Sequence, residues 1–242
     1  MPFTFSHPAA VLALLDGARA RGPLVAAGLV AGSMAPDLPF FADSLLPGVH
    51  RYGDVAHRWW AVPTLDVALA AVSVALWRGL WRPAVAELLP GRAGWVSGSA
   101  AGRPAGGPVR FAVSAAVGAA SHLCWDSFTH RGRAGVRALP VLGRTVAGVP
   151  VYRALQYGSS LAGLAVLAPR LRVVAAPAAG ARPGPGAARW VVAAAAAAGA
   201  AHRLARRQRP PVDEFCFGAG AGAAVGLAGW SLLLRRAGVR GA

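Results

Sequence analysis

Apolar positions along this chain come in runs, not in strand-like alternation. After the opening Met1-Pro-Phe-Thr-Phe-Ser-His7, residues 8–19 are apolar. That run is shorter than the ~20 residues a helix needs to cross a bilayer. Ser6 or His7 suits a helix cap, and Pro8 its first turn. A second short run, 23–34, ends at Ala35-Pro36-Asp37-Leu38-Pro39, where two prolines around one aspartate make a rigid turn. Together these runs predict a helical hairpin, packed on the spans or entering the membrane with them. Longer runs follow at 62–81, 109–130, 151–168, 189–201 and 215–234, separated by connectors at 83–108, 131–150 and 169–188 rich in Gly, Pro and Arg. The last run carries Gly218, Gly220, Gly222, Gly226 and Gly229, small residues that let helix backbones approach closely in lipid. The pattern predicts an all-α polytopic membrane helix bundle of about four or five spans plus the short N-terminal hairpin. It reads as one membrane domain over residues 1–242, with the polar site in 1–165 and additional helices in 166–242.

Composition sharpens this picture. Of 242 residues, 55% are hydrophobic and only 14% charged, and mean hydropathy is +0.47. Soluble domains carry about 25% charged residues, so disorder, a disulfide scaffold and an ordinary cytosolic globule are excluded. The two cysteines, Cys124 and Cys216, lie in apolar stretches and imply no disulfide framework. The net charge of +16 comes entirely from Arg. These arginines are scattered between apolar runs, with no basic stripe interleaved with aromatics and no nucleic-acid module. The partners they imply are anionic membrane lipids, not nucleic acid; no protein partner is indicated. Arginines occur in loops of both parities, so charge does not decide which side of the membrane a given loop faces. The first residues lack the basic region that precedes the apolar run of a secretory signal.

Candidate chemistry is concentrated in few residues. In Ser-His122-Leu-Cys-Trp-Asp126-Ser-Phe-Thr-His130, three ionisable groups recur every four residues and so share one helix face. Ionisable groups inside an apolar helix are costly and mark function; the bland alternative is a polar stripe bonded to a neighbouring helix. If consecutive helices alternate in direction, His7, Asp37, His57, the 122–130 cluster and the stretch from Tyr152 to Tyr157 fall at one end of the bundle. Imidazoles with carboxylates suit zinc, with manganese as the second candidate. Such an ion activates water for hydrolysis, and two ions bridged by Asp126 or Asp37 suit phosphate esters. The candidate metal ligands are His7, Asp37, His57, His122, Asp126 and His130. The candidate catalytic residues are Asp126, His122 and Arg58, the last either holding an anionic group or lying at the interface beside Trp59 and Trp60. Asp66 reads as an outer partner of the site or an intramembrane carboxylate paired with an arginine. His202 reads as a solvated interface histidine, and Asp213-Glu214 as a cap on the last span.

The segments Met-Pro-Phe-Thr-Phe-Ser-His7-Pro8, Gly32-Ser-Met-Ala-Pro36-Asp37, His57-Arg58, Ser121 to His130 and Leu155-Gln156-Tyr157-Gly158-Ser159-Ser160 resemble an uncharacterised bacterial multi-pass family, domain of unknown function 4184, over residues 1 to about 165. The order of these ligands also resembles bacterial inner-membrane proteins described as metal-dependent hydrolases. More distantly it is similar to the zinc-dependent phospholipase C and P1 nuclease group. That resemblance implies zinc ligands at His7, Asp37, His57, His122 and Asp126, with His130 as a further candidate. The distant group adds a later His-x3-Glu pair that this chain lacks after His130, which points to one or two ions instead of three.

The expected function is therefore a membrane-embedded, metal-dependent hydrolase of a phosphoester or ester at the lipid interface, in a bacterial cell membrane. The alternative is a non-enzymatic multi-pass protein with a structural metal or polar cluster. An ion or proton carrier fits less well, because the later runs are nearly free of ionisable groups.

Overall fold

The computed structural model describes residues 3–17, 19–88, 107–173, 186–206 and 209–237. The described chain is mostly helical. It opens with a 3-10 helix, Thr4–Leu14, and a tiny antiparallel hairpin, β1 (Leu15–Asp16) and β2 (Arg19–Ala20). There follow α1 (Ala26–Met34), a 3-10 turn Ala35–Asp37, α2 (Leu38–Ala42) and α3 (Arg51–Ala56). The longer elements are α4 (Leu65–Leu76), α5 (Arg82–Leu88), α6 (Gly107–Thr129), α8 (Val151–Val173), α9 (Gly186–Arg206) and α10 (Pro211–Arg236), with the short α7 (Ala134–Ala138) after α6. A second tiny hairpin, β3 (Thr145–Val146) and β4 (Val149–Pro150), precedes α8.

The expected N-terminal hairpin is present with different details. Ser6 and His7 do not cap its first helix: that helix already starts at Thr4, Ser6 Oγ donates back to the Phe3 carbonyl, and Pro8 lies inside it. His7 is thereby left free to point into the protein.

Helix α1 sits at the centre, against the opening 3-10 helix, α4 and α6. Its approach to α6 depends on glycine. A Cβ on Gly32 would collide with the Ala115 carbonyl, and one on Gly118 with the Leu29 carbonyl and the Ser33 amide. Small buried residues fill the seam: Ala31, Ala35, Ala70 and Ala115. Helices α9 and α10 pair in the same way through Gly199, Gly218 and Gly222, the close approach expected from the glycines of the last run.

The helix of the 62–81 run continues past its expected end. Between α4 and α5 lies a π turn, Trp77–Trp81, and the chain then stays helical through Pro83. Pro83 has no N–H to give the Gly79 carbonyl one helical turn back. The Arg235 guanidinium of α10 supplies that hydrogen bond instead. Trp81 Nε1 also donates to the Ala224 carbonyl at 2.9 Å, and the Ala84 amide to Ser231 Oγ at 3.1 Å, which docks α10 on this rod. Residues 89–106 and 174–185 of the expected connectors lie outside the described residues.

Among the described residues one helix, α10, is both long enough and apolar enough to cross a membrane. Helices α6, α8 and α9 have the length, at 23, 23 and 21 residues. Charged or polar positions interrupt their apolarity: Arg110, His122 and Asp126 in α6, Arg153 in α8, and Arg189, Arg203 and Arg206 in α9.

A buried ion network fastens the α9–α10 pair to the core. Arg203, fully buried on α9, meets Asp43 Oδ2 at 2.5 Å and Glu214 Oε2 at 2.7 Å; Arg206 reaches Asp43 Oδ2 at 3.1 Å. Glu214 is therefore more than the expected helix-end cap, being the buried partner of Arg203. His202 is exposed, as expected.

Candidate metal centre

Five polar side chains converge beneath the end of α6. His7 comes from the opening 3-10 helix, Asp37 from the turn after α1, His57 from directly after α3, and His122 and Asp126 from α6. All five are buried. The two α6 residues point the same way because four residues make about one helical turn, and they lie on its buried face with Ser114, Gly118 and Leu123.

Backbone carbonyls orient two of the imidazoles. His122 Nδ1 lies 2.8 Å from the Ser33 carbonyl and His57 Nδ1 lies 2.7 Å from the Gly53 carbonyl. A carbonyl only accepts, so Nδ1 carries the proton in both rings and Nε2 faces the cluster. The Ser33 carbonyl is presented by the end of α1, so the glycine-mediated contact of α1 with α6 also sets the tilt of the His122 ring.

The donor atoms are closely and evenly spaced. His57 Nε2 is 3.3 Å from His122 Nε2, 3.4 Å from Asp37 Oδ1 and 3.4 Å from Asp126 Oδ2. His122 Nε2 is 3.4 Å from Asp126 Oδ2 and 3.7 Å from Asp37 Oδ1. Ligand bonds of ~2.0–2.2 Å in a tetrahedron place ligand atoms ~3.3–3.6 Å apart. Four of these five distances match the edges of such a site, and the fifth, His122 to Asp37, is slightly longer. On the far side of the Asp126 carboxylate, His7 Nε2 lies 3.3 Å from Oδ1. Two overlapping triads, His7 with His122 and Asp126, and Asp37 with His57 and His122, can each hold a metal ion.

Outer contacts hold these groups. Thr4 Oγ1 donates to Asp37 Oδ2 at 2.5 Å. The His7 ring stacks on His122, with centroids 3.9 Å apart and 19° between planes. Asp37 Oδ1 has no hydrogen-bond partner among the described residues, as befits a donor set shaped for a cation; His7 Nδ1, on the ring edge away from Asp126, has none there either. His130 lies at the edge: its Nδ1 is 3.7 Å from Asp126 Oδ1, and its ring contacts Thr129 Oγ1 at 3.0 Å and Gln156 Nε2 at 2.9 Å. The polar start of α8 thus joins the cluster through Gln156, and His130 falls outside both triads.

The electrostatics favour positive charge here. Burial alone would depress the His57 imidazole, but the Asp126 and Asp37 carboxylates outweigh it and raise its pKa to about 10. Burial alone would raise the Asp37 carboxyl; the His122 and His57 imidazoles reverse that and hold it well below the usual carboxylate range.

The other expected site residues are placed differently. Arg58 is exposed, next to Trp59 and Trp60, which are 57% and 59% exposed. Asp66 is fully buried in the first turn of α4, near enough to His57 to feel its charge. Neither of its oxygens has a hydrogen-bond partner among the described residues, and no arginine there pairs with it. A cavity of about 280 Å³ reaches His57 and Asp126, and its wall contains Trp59, Leu123, Arg133 and Arg137. Sequence reasoning passed over those two arginines and Thr4. Arg133 and Arg137 sit three and seven residues after His130 in a loop and short helix with no periodic signal. Thr4 could have been noticed, because it precedes His7 by one turn.

No curated protein and no solved structure matches this chain. The family described as domain of unknown function (DUF4184) matches residues 1–229, past the limit near residue 165 seen in the motifs and into α10. With nearly the whole chain covered, this protein belongs to the DUF4184 family.

Proposed function

We propose that the cluster binds a divalent metal, zinc first and manganese second, and serves a metal-dependent hydrolase of a phosphoester or ester in a multi-pass bacterial membrane protein. The observation that carries this reading is the set of donor atoms 3.3–3.7 Å apart, drawn from four separate stretches of chain and aimed by backbone carbonyls. Imidazole nitrogen with carboxylate oxygen is a donor set for zinc or manganese. His57, His122, Asp126 and Asp37 would hold the first ion, and His7 with Asp126 Oδ1 would extend the site toward a second. A bound divalent ion supplies Lewis acidity and lowers the pKa of water toward neutrality.

The membrane part of the reading is supported by composition and by outward-facing side chains. Val109, Val113 and Val117 on α6, Leu161 and Val166 on α8, Trp190 on α9, and Val225 and Leu232 on α10 are exposed. Apolar outer faces of this extent suit lipid contact, and Trp59 and Trp60 suit the headgroup level.

A structural metal is the second reading, favoured by one observation: four protein donors could close a tetrahedral site. The cavity reaching His57 and Asp126 speaks for access by a substrate. The test is metal analysis of detergent-purified wild type beside Asp126→Ala, followed by zinc- or manganese-dependent turnover of phospholipids and simple phosphodiesters. Stoichiometric metal in the wild type, loss in the variant and turnover only with metal are expected. Metal without turnover on any substrate moves the reading to a structural site; a wild type that binds none ends both.

A further inference from the structure

The cavity beside the cluster carries charge of its own. Its floor is His57 and Asp126, its apolar wall is Trp59 and Leu123, and its basic wall is Arg133 and Arg137. Arg133 Nη1 donates to the His57 carbonyl at 3.2 Å, and Arg137 Nη1 donates to the Gly132 carbonyl at 2.5 Å. Each guanidinium has five N–H donors, so each keeps most of them after that single backbone bond. Among the described residues neither arginine is paired with a carboxylate. The first contact also ties the basic wall to the backbone of a metal-ligand candidate, which fixes the distance between them.

The geometry points to a phosphoryl-binding subsite in this cavity: Arg133 and Arg137 hold the phosphoryl oxygens of the substrate against the ions, and Trp59 and Leu123 take its apolar neighbour. This rests on the hydrolase reading and deepens it, selecting phosphoesters over neutral carboxylic esters. Two unpaired guanidiniums would be wasted on a neutral ester, whereas planar N–H forks match phosphate oxygens bidentately. The size agrees. Ligand pockets for whole drug-sized molecules start near ~300 Å³ and enclose most of the ligand; a cavity of about 280 Å³ takes a headgroup and leaves acyl chains outside. Arg58 is exposed and does not line this cavity.

The test uses full-length protein in detergent, zinc-loaded and metal-stripped, with inorganic phosphate and a short-chain phosphatidic acid as probes in calorimetry. Wild type is compared with R137Q, R133Q and the double variant, and zinc content is measured on each. Arg137 is exposed, so R137Q reports on binding even if R133Q disturbs the His57 loop; R137K, which keeps the charge and loses the planar fork, should fall between wild type and R137Q. The expected result is phosphate affinity at least about tenfold weaker in R137Q, weaker still in the double variant, with zinc content unchanged. Binding of both probes assigns the subsite to the phosphoryl group; binding of the lipid alone assigns it to a lipid headgroup. Either supports the subsite. Equal binding by wild type and R133Q/R137Q overturns it, as does a zinc-loaded wild type that binds neither probe, and both leave the metal reading standing. If the protein holds neither zinc nor manganese, the metal reading fails alone, and arginine-dependent phosphate binding to the stripped protein still decides the subsite.

Discussion

His57 Nε2 and His122 Nε2 face each other at 3.3 Å while both rings give their Nδ1 protons to backbone carbonyls. Two neutral imidazoles so oriented would present lone pair to lone pair. The arrangement is stable only with a positive charge shared between them, either a proton or a metal ion. The carboxylates of Asp37 and Asp126, each within 3.4 Å of His57 Nε2, supply the field that attracts it. The cluster is thus built for a cation, and its outer contacts say how tightly the cation should be gripped.

Thr4 is the clearest of those contacts. Its hydroxyl fixes the Asp37 oxygen that points away from the imidazoles. Outer partners of metal ligands are typically worth ~10–100-fold in metal affinity. Thr4→Val should therefore weaken zinc binding by that factor with little change in helicity, and Thr4→Ser should restore it. Competition against a chromophoric chelator measures this. Equal affinity for all three proteins would show that Thr4 is only packing.

The Asp43 network should behave as a structural device, separable from the site. Breaking a buried ion pair by removing one partner costs about 3–5 kcal/mol, so Arg203→Met should lower the unfolding midpoint strongly: Glu214 and Asp43 lose the buried guanidinium they share, and only Asp43 keeps Arg206 in its place. Burial alone would raise the Asp43 carboxyl, but hydrogen bonds from His50, the Gly48 and His50 amides and Arg203 hold it below the ordinary range. A carboxyl depressed in the folded state contributes stability above its unfolded pKa, near 3.8, and loses it as pH falls below that value. Asp43→Asn should then be less stable than wild type at neutral pH and show a flatter acid limb. Thermal unfolding from pH 7 to about pH 1.5 covers the window below 3.8 in which the Asp43 contribution is lost, and parallel curves across it would remove Asp43 from the acid response.

Much of the site could be read from the chain because its parts obey local rules. The four-residue spacing of His122 and Asp126 puts them on one helix face whatever surrounds them. Pro36-Asp37 has to be a turn, and alternating helix directions bring His7, Asp37 and His57 to the same end. Arg203 and Asp43 obey no such rule. One is among many scattered arginines and the other is in an ordinary loop, and only the docking of α9 and α10 joins them. Arg133 and Arg137 became visible only once a cavity gave them a shared wall. Pro83 misled for a related reason: the helix runs on through it, and Arg235, far along the chain, meets the Gly79 carbonyl that proline leaves open.

Packing should couple directly to the site at Gly118. A side chain there meets the Leu29 carbonyl and the Ser33 amide, and the Ser33 carbonyl orients His122. Gly118→Val should push α1 away, lowering the melting temperature and the metal content together. Gly158→Ala, with open space around its Cβ, should change neither. A Gly118→Val protein that melts early but binds zinc normally would mean that His122 does not depend on α1 for its orientation.

The protonation of His57 gives the sharpest test of whether a metal belongs in the cluster. With the metal stripped, Asp126 and Asp37 raise this imidazole to about 10 from an ordinary 6.5. A group with a raised folded pKa contributes stability that is fully present below its unfolded pKa and lost as pH rises through the folded one. The stripped protein should therefore lose stability between about pH 6.5 and pH 10. The loaded protein should do the reverse, because a ligand imidazole must be neutral and the ion competes with the proton. Zinc affinity should rise across the same window, and loading near pH 7.5 should expel about one proton. Calorimetric titration with zinc in buffers of different ionisation heat counts that proton, and melting curves with and without zinc give the two opposing slopes. If no proton leaves and stability is flat with pH in both forms, His57 is not shared between proton and metal, and the assignment of this cluster as a metal centre fails with it.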